Sequence, residues 1–296
     1  MMDASYISAD YQVDNETNRF LDDFPVHCFF RDGIIGQNKM HAHRGYEFYI
    51  CLEGEGQLLI ADRMYPLLPG TVAIIKPYVL HRSSVVGTKP LHRIVLALDE
   101  RYVQTLSQAP DMKRCIDMLL AEPKLQPIWQ LSDSKMAKLQ TILQQLAREV
   151  TEHPDFYETA MHALLAELFV MLAREQHSDP GADDHEQSAF HLAERLLSYL
   201  SAYYAEPIEV SRLHEQFNVS RSHMYEQFKQ ATGHSLNRYL TLYRINQAKR
   251  LLRDTPLSVT EIASAVGFGD LSHFFHTFKT ETGVTPNAFR KQNRND

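Results

Sequence analysis

The sequence predicts a two-domain α+β chain: an N-terminal β-barrel followed by helices, then an all-α C-terminal unit with two helix-turn-helix motifs. Three observations predict it. A length of 296 residues suits two domains of ordinary size. Residues 25–100 hold short apolar runs separated by turn signals, and the last third of the chain repeats itself at an offset of 50 residues. With 44% hydrophobic and 23% charged residues, a disordered or fibrous chain is excluded.

The barrel strands come first. Runs at 47–52, 57–61, 71–75 and 94–98 are rich in Ile, Val, Leu and Tyr. Gly54-Glu55-Gly56, Asp62-Arg63 and Pro69-Gly70 punctuate them as turns. Many short strands at this spacing indicate a sandwich or barrel. From Ser134 the apolar period changes: Met136, Leu139, Ile142, Leu143 and Leu146 recur at three and four, as one helix face requires. Met161, Leu164, Leu165, Leu168 and Leu172 form a second, broader stripe, wide enough to pack on the barrel or to meet a partner chain. The segment 177–188, polar and acidic with Pro-Gly at its centre, reads as the linker. Domains are thus expected at 1–176 and 189–296, with few contacts crossing between them.

The repeat defines the C-terminal unit. Ser222-His223, Phe228-Lys229 and Thr232-Gly233 recur as Ser272-His273, Phe278-Lys279 and Thr282-Gly283. Upstream, Ile208, Leu213 and Phe217 match Leu257, Ile262 and Val266, shifted by one residue at a turn. Each copy reads as a short helix, a tight turn and a longer helix. Ser258 and Glu261 make a capping box, Gly267 and Asn218 occupy the turn, and Ser220 and Asp270 stand where they cap the second helices. Met224 with Phe228, and Phe274 with Phe278, face inward at i and i+4. The motifs fall at about 208–231 and 258–282, joined by a helix over about 236–253. That helix is roughly 27 Å long at 1.5 Å per residue, a length that holds two readers near consecutive major grooves.

Charge agrees with a polyanion partner at this end only. Residues 206–296 carry 12 Lys+Arg against 9 Asp+Glu, whereas the chain as a whole has a net charge of −7. Outward positions of the second helices are Arg221, Ser222, Tyr225 and Glu226, then Leu271, Ser272, Phe275 and His276. Lys229, Arg244, Lys249 and Lys279 suit phosphates.

These residues resemble the AraC/XylS family of bacterial transcription regulators. The stretch IASAVGFGDLSHFFHTFKTETGVTPNAFR is similar to that family's second DNA-binding motif, and VSRSHMYEQFKQATGHSLNRYLTLYRINQAKRLL to its first motif and connecting helix. The likeness covers roughly 189–291. It implies double-stranded DNA as partner, RNA polymerase as a further contact, a cytoplasmic location, a homodimer built on helices after the barrel, and no enzymatic activity. Glu226 departs from the pattern, since the family often carries a basic residue there.

The barrel holds a second constellation. His41-x-His43-x-x-x-Glu47 enters the first clear strand, and His81 follows a later one. Alternation puts His41 and His43 on one face, and imidazole with carboxylate suits a first-row divalent metal. The spacing resembles the cupin metal motif, and cupin-like sensor domains form the N-terminal half of many AraC/XylS regulators; here Lys76 and Tyr78 depart from the motif's second half. Two readings stand: a metal centre, or an effector pocket of His41, His43, Glu47, His81 and Tyr49 that takes a small molecule, a carbohydrate among the candidates. Tyr46, Phe48 and Tyr65 read as core or pocket aromatics, and His27, His92, His153, His162 and His177 as ordinary residues. The implied function is a ligand-responsive, sequence-specific regulator of transcription. The alternative is a metal-dependent cupin enzyme, an isomerase or dioxygenase, with a helical appendage. Cys28, Cys51 and Cys115 form no CxxC pair and fit a reducing cytosol, and neither a membrane span nor a signal peptide is expected.

Overall fold

The computed structural model describes residues 15–31, 40–86, 89–120, 128–175 and 191–293; the expected linker and His177 lie outside them. The four expected strands are present as β2 (Tyr46–Glu53), β3 (Gly56–Ile60), β5 (Thr71–Ile75) and β7 (His92–Leu98). Four more complete the barrel: β1 (Val26–Arg31), β4 (Arg63–Leu67), β6 (His81–Val85) and β8 (Ile128–Gln130). They form two facing antiparallel sheets, β1-β7-β2-β5-β8 and β4-β3-β6. Strand alternation sorts the side chains. Tyr49, Cys51, Leu58, Ile60, Ala73 and Ile75 fill the space between the sheets, while Phe48, Ile50, Val72 and Ile74 turn outward into a helical layer.

That layer is α3 (Pro110–Leu120), α4 (Asp133–Glu152) and α5 (Tyr157–Glu175). Met136, Leu139, Leu143 and Leu146 of α4 are buried there together with Met161, Leu165, Leu168, Phe169 and Leu172 of α5. Each such side chain contributes roughly 1.5–3 kcal/mol on leaving water. The broad α5 stripe is therefore covered by this chain's own barrel and is not left over for a partner, because β2 and β5 present an equally apolar outer face. Helices α1 (Asn15–Asp23) and α2 (Glu100–Leu106) close one end. Among the described residues no helix is long and apolar enough to cross a membrane.

The C-terminal unit is helical throughout: α6 (His191–Tyr203), a 3-10 turn at Val210–Arg212, α7 (Leu213–Gln216), α8 (Arg221–Thr232), α9 (Leu236–Asp254), α10 (Val259–Ala265), α11 (Leu271–Thr282) and α12 (Pro286–Asn293). Contrary to the separation read from sequence, the two halves share a core. Met40, Ala42, Leu59, Met64 and Leu80 of the barrel are buried with Leu196, Leu197, Leu200, Phe228, Ala231 and Tyr239. Leu59 lies on the outer face of the smaller sheet, so its alternation demands a cover that the barrel itself does not supply. The Tyr239 hydroxyl donates to the Ala61 carbonyl at 3.2 Å, and Glu194 accepts from the Met64 amide at 3.0 Å.

Candidate functional site

Local chemistry builds each helix-turn-helix unit in the same way. Ser220 caps α8 by accepting from the His223 amide, and Asp270 caps α11 by accepting from the His273 amide. The Ser258–Glu261 capping box starts α10. Asn218 and Gly267 hold left-handed backbone at φ 53° and 86° in the two turns. Met224, Phe228, Phe274 and Phe278 are fully buried. Both longer helices end at a left-handed glycine, Gly233 and Gly283. In each, the preceding threonine hydroxyl (Thr232, Thr282) donates back to the phenylalanine carbonyl four residues earlier. The repeated Thr-Gly pair is thus a helix stop.

These helices present their opposite faces to solvent. Arg221, Ser222, Glu226 and Lys229 of α8 are exposed, as are Leu271, Ser272, His276 and Lys279 of α11. Tyr225 and Phe275 are half-buried, with the Arg221 guanidinium 5.7 Å from the centre of the Tyr225 ring. Helix α9 runs 19 residues, about 28 Å at 1.5 Å per residue. Arg238 on α9 clasps Glu281 on α11 through two hydrogen bonds of 2.6 and 3.0 Å. Only 2% of Glu281 is exposed, so the pair locks the second unit onto the connecting helix.

Two cations read from sequence as phosphate contacts are instead engaged by the protein itself. Arg244 donates to the carbonyls of Tyr204 and Glu206 at 2.7 and 2.9 Å, binding α9 to the chain just past α6. Lys249 is buried, 6.0 Å from the centre of the Tyr78 ring, and burial lowers its ammonium to about 8 against the opposing pull of Glu281. Residue type announces a phosphate ligand; the packing of α9 decides otherwise.

In the barrel, His41, His43, Glu47 and His81 converge. They are only 1–5% exposed. Backbone bonds between His41 and His81, of 3.0 and 2.9 Å, bring the two segments together. One ring nitrogen from each histidine lies within 4.8 Å of the others. His43 Nε2 is 2.8 Å and His81 Nε2 3.8 Å from Glu47 Oε2. Burial pushes the Glu47 carboxyl up, but the His43 hydrogen bond and the facing imidazoles outweigh it and hold the carboxyl at about 2. Burial, with His41 beside it, brings His81 down to about 3 despite the pull of Glu47. The result at neutral pH is a carboxylate facing a neutral His81. Tyr49, two residues along β2 from Glu47, is buried among the interior side chains, with the Arg93 guanidinium 6.0 Å from its ring.

These five residues line no part of a cleft of about 640 Å³ that opens between barrel and helices. Its wall includes Asp22, Arg44, Tyr78, Glu100, Arg253 and Asp254. Arg253 bridges it to Glu100 at 2.7 Å and stands 5.3 Å from the Tyr78 ring. Sequence reasoning missed this cleft, whose residues come from six separate stretches of chain. It also missed Arg82, which donates to the Gln230 and Ala231 carbonyls at 2.8 and 2.7 Å, and the Arg238–Glu281 pair.

A family model described as an AraC-like ligand binding domain matches residues 24–169, and one described as a helix-turn-helix domain matches 213–292. Among curated relatives, the HTH-type transcriptional activator RhaR of Escherichia coli K12 is 27% identical over 253 residues, covering 86% of this chain and 87% of its own. The protein of the same name from Shigella flexneri serotype 5b matches equally. Of solved structures, the C-terminal domain of AraT, a response regulator from Geobacillus stearothermophilus, is 29% identical over 37% of this chain and 92% of that domain, with a TM-score of 0.35. ToxT of Vibrio cholerae is 14% identical over 91% of this chain and 98% of its own, with a TM-score of 0.36.

Proposed function

The chain belongs to the AraC/XylS family of DNA-binding transcription regulators, with a ligand-binding barrel ahead of its helix-turn-helix domain, and from that premise we propose which residues touch DNA and in what role. Arg221, Ser222, Tyr225 and Glu226 of α8, with Leu271, Ser272, Phe275 and His276 of α11, approach base edges in two major grooves. Lys229 and Lys279 meet phosphates; Arg244 does not. The observation that carries this reading is the pair of solvent-facing helices, each buried on one side and set on one continuous α9. Glu226 accepts from a cytosine amine, and Leu271 packs on a thymine methyl.

The barrel half responds to a small-molecule effector, which acts through unequal affinity for the DNA-competent and incompetent arrangements of the chain. The name of the RhaR relatives supports activation, with RNA polymerase as the partner contacted. A homodimer belongs to the same reading and would use a surface other than the α5 stripe. Turnover is no part of it: the near-complete burial of His41, His43, Glu47 and His81 supports sensing rather than substrate access. A cytoplasmic location follows from the partner, DNA.

The test uses full-length chain and fluorescence anisotropy on duplexes selected by the protein from a random pool, against unselected duplex. His276→Ala should cost about 1–3 kcal/mol on selected duplex only. Lys279→Ala should weaken both duplexes alike and reduce the salt slope by about one. Arg221→Ala should behave as His276→Ala does. Equal losses on both duplexes for His276→Ala and Arg221→Ala would sink the assignment of these helices to base reading.

A further inference from the structure

An α-helix leaves its last four carbonyls without partners of its own. At the end of α8 all four are taken, and three of the four bonds come from the barrel half. The Lys229 carbonyl accepts from the Gly233 amide at 2.8 Å, which is the helix's own glycine stop. Arg82 Nη1 donates to the Gln230 and Ala231 carbonyls at 2.8 and 2.7 Å. The Met40 amide donates to the Thr232 carbonyl at 3.3 Å. The turn into α9 is tied to the same segment, for His234 Nε2 donates to the Met40 carbonyl at 3.2 Å.

Strand alternation puts these groups in place. His81 turns into the barrel, so Leu80 and Arg82 on either side of it share the outer face. Leu80, with Met40 and Ala42, enters the core that holds Phe228, Ala231 and Tyr239. Apolar contact thus seats the end of α8, and the directional bonds of Arg82 and Met40 fix its orientation. A guanidinium is also the charge that a helix C-terminus favours. The second unit is built otherwise. Among the described residues, no barrel group bonds the matching carbonyls of α11, those of Thr280, Glu281 and Thr282. The barrel half reaches that unit at α9 and α12 instead, through Glu100 to Arg253 and Arg101 to the Gln292 carbonyl.

We infer that Arg82 is a positioning residue for sequence reading: the barrel holds the C-terminal end of α8 and so sets the angle at which its other end enters the groove, while α11 is not steered in this way. Helix α8 has 12 residues, about 18 Å at 1.5 Å per residue, and its outward residues Arg221, Ser222, Tyr225 and Glu226 lie toward its start. A rigid helix fixed at one end carries a small rotation there to the side chains at the other. The cap stands on its own geometry; its consequence for base reading rests on the DNA-binding reading above.

The cap is tested first on full-length chain without DNA, by hydrogen exchange read with mass spectrometry. Arg82→Met should speed exchange across residues 228–234 about 5-fold or more and leave 278–284 unchanged. The second measurement is anisotropy on the selected duplex and on two versions of it, each with the base pairs read by one unit scrambled. Arg221→Ala and His276→Ala identify which half is which, because each variant loses discrimination at its own half. In Arg82→Met, discrimination against the first scramble should fall about 5-fold or more, and discrimination against the second should hold. Arg82→Lys keeps the charge without the fork that spans two carbonyls, so it should fall between wild type and Arg82→Met. Should Arg82→Met fail to fold, Arg82→Lys carries the same comparison. A loss of stability alone lowers the active fraction and leaves both discrimination ratios where they were. Unchanged exchange at 228–234 overturns the cap. Faster exchange with both ratios unchanged, or with both falling alike, overturns the positioning role. A wild-type chain that does not prefer the selected duplex would instead strike the base-reading assignment, while exchange still reports on the cap.

Discussion

The two helix-turn-helix units share a plan and differ in how they are held. Caps, left-handed turns, paired inward aromatics and glycine stops recur from one to the other. Yet the first unit buries Met224, Phe228 and Ala231 in a core that includes barrel residues Met40, Leu59 and Leu80. The second packs Phe274, Phe278 and Phe289 around α9 and α10, with Tyr78 as the barrel's contribution. Its other links to the barrel are polar: Arg253 to Glu100, and Arg101 to the Gln292 carbonyl. The difference teaches where the sensor half has its grip. It holds the first unit through a shared apolar core together with the Arg82 bonds to the α8 carbonyls, and reaches the second mainly through α9 and the Arg238–Glu281 clasp.

The comparison breaks first in the cores. Phe228→Ala and Phe278→Ala each remove a fully buried ring and should each cost about 3–5 kcal/mol. Their melting profiles should differ. Loss of Phe228 should loosen the seat on the barrel and lower the main transition of the whole chain, whereas loss of Phe278 should release an early transition confined to the second unit. Identical calorimetric profiles for the two variants would show that the units are held alike.

The second effect concerns Lys249, buried beside Tyr78 on the second unit's side. Its ammonium titrates at about 8 when folded, below the ordinary 10.5, because burial disfavours the charge. Below pH 8 it is protonated in folded and unfolded chains alike, and burying the charge is a constant cost. Between pH 8 and 10.5 the unfolded chain holds a proton that the folded chain has shed, so stability rises with pH across that window. At about 1.4 kcal/mol per unit, the rise approaches roughly 3 kcal/mol. Lys249→Met should be more stable than wild type at pH 7, and the gap should close toward pH 10.5. Urea midpoints that run parallel across the window would show that the lysine is charged when folded.

What sequence reading reaches follows from how local the physics is. Ser220, Asp270, Ser258 with Glu261, and the Asn218 and Gly267 turns act within four residues of themselves, and all stand as read. The four apolar strands and the convergence of His41, His43, Glu47 and His81 were legible from alternation and spacing. Strand β4, with Pro66 inside it, and β6, with Ser83 and Ser84, carry too weak an apolar pattern to announce themselves. Arg244 and Lys249 look like any helix-surface cation until the carbonyls past α6 bind the first and packing beside Tyr78 buries the second. The shared core and the interdomain cleft are wholly tertiary: residues such as Arg44, Tyr78, Glu100 and Arg253 have no common period.

The finest test of the comparison lies in the two turns, which look interchangeable by backbone angle alone. Asn218 and Gly267 both sit at positive φ, and asparagine tolerates that region better than other side chains do. Space separates them. A Cβ at Gly267 would stand 2.6 Å from the Tyr204 carbonyl oxygen and 2.9 Å from that of Ala205, both backbone atoms at the end of the α6 connection. The same carbonyl of Tyr204 accepts from Arg244, so it is not free to retreat. Asn218 is exposed and already accommodates a side chain. Gly267→Ala should therefore cost on the order of 1–3 kcal/mol, combining strained backbone with a close contact. Asn218→Gly relieves the backbone strain but adds unfolded-state freedom, and the two should cancel to within about 0.5 kcal/mol. Urea midpoints measure both. If Gly267→Ala proves as mild as Asn218→Gly, the α6 connection yields, and the second turn is as permissive as the first.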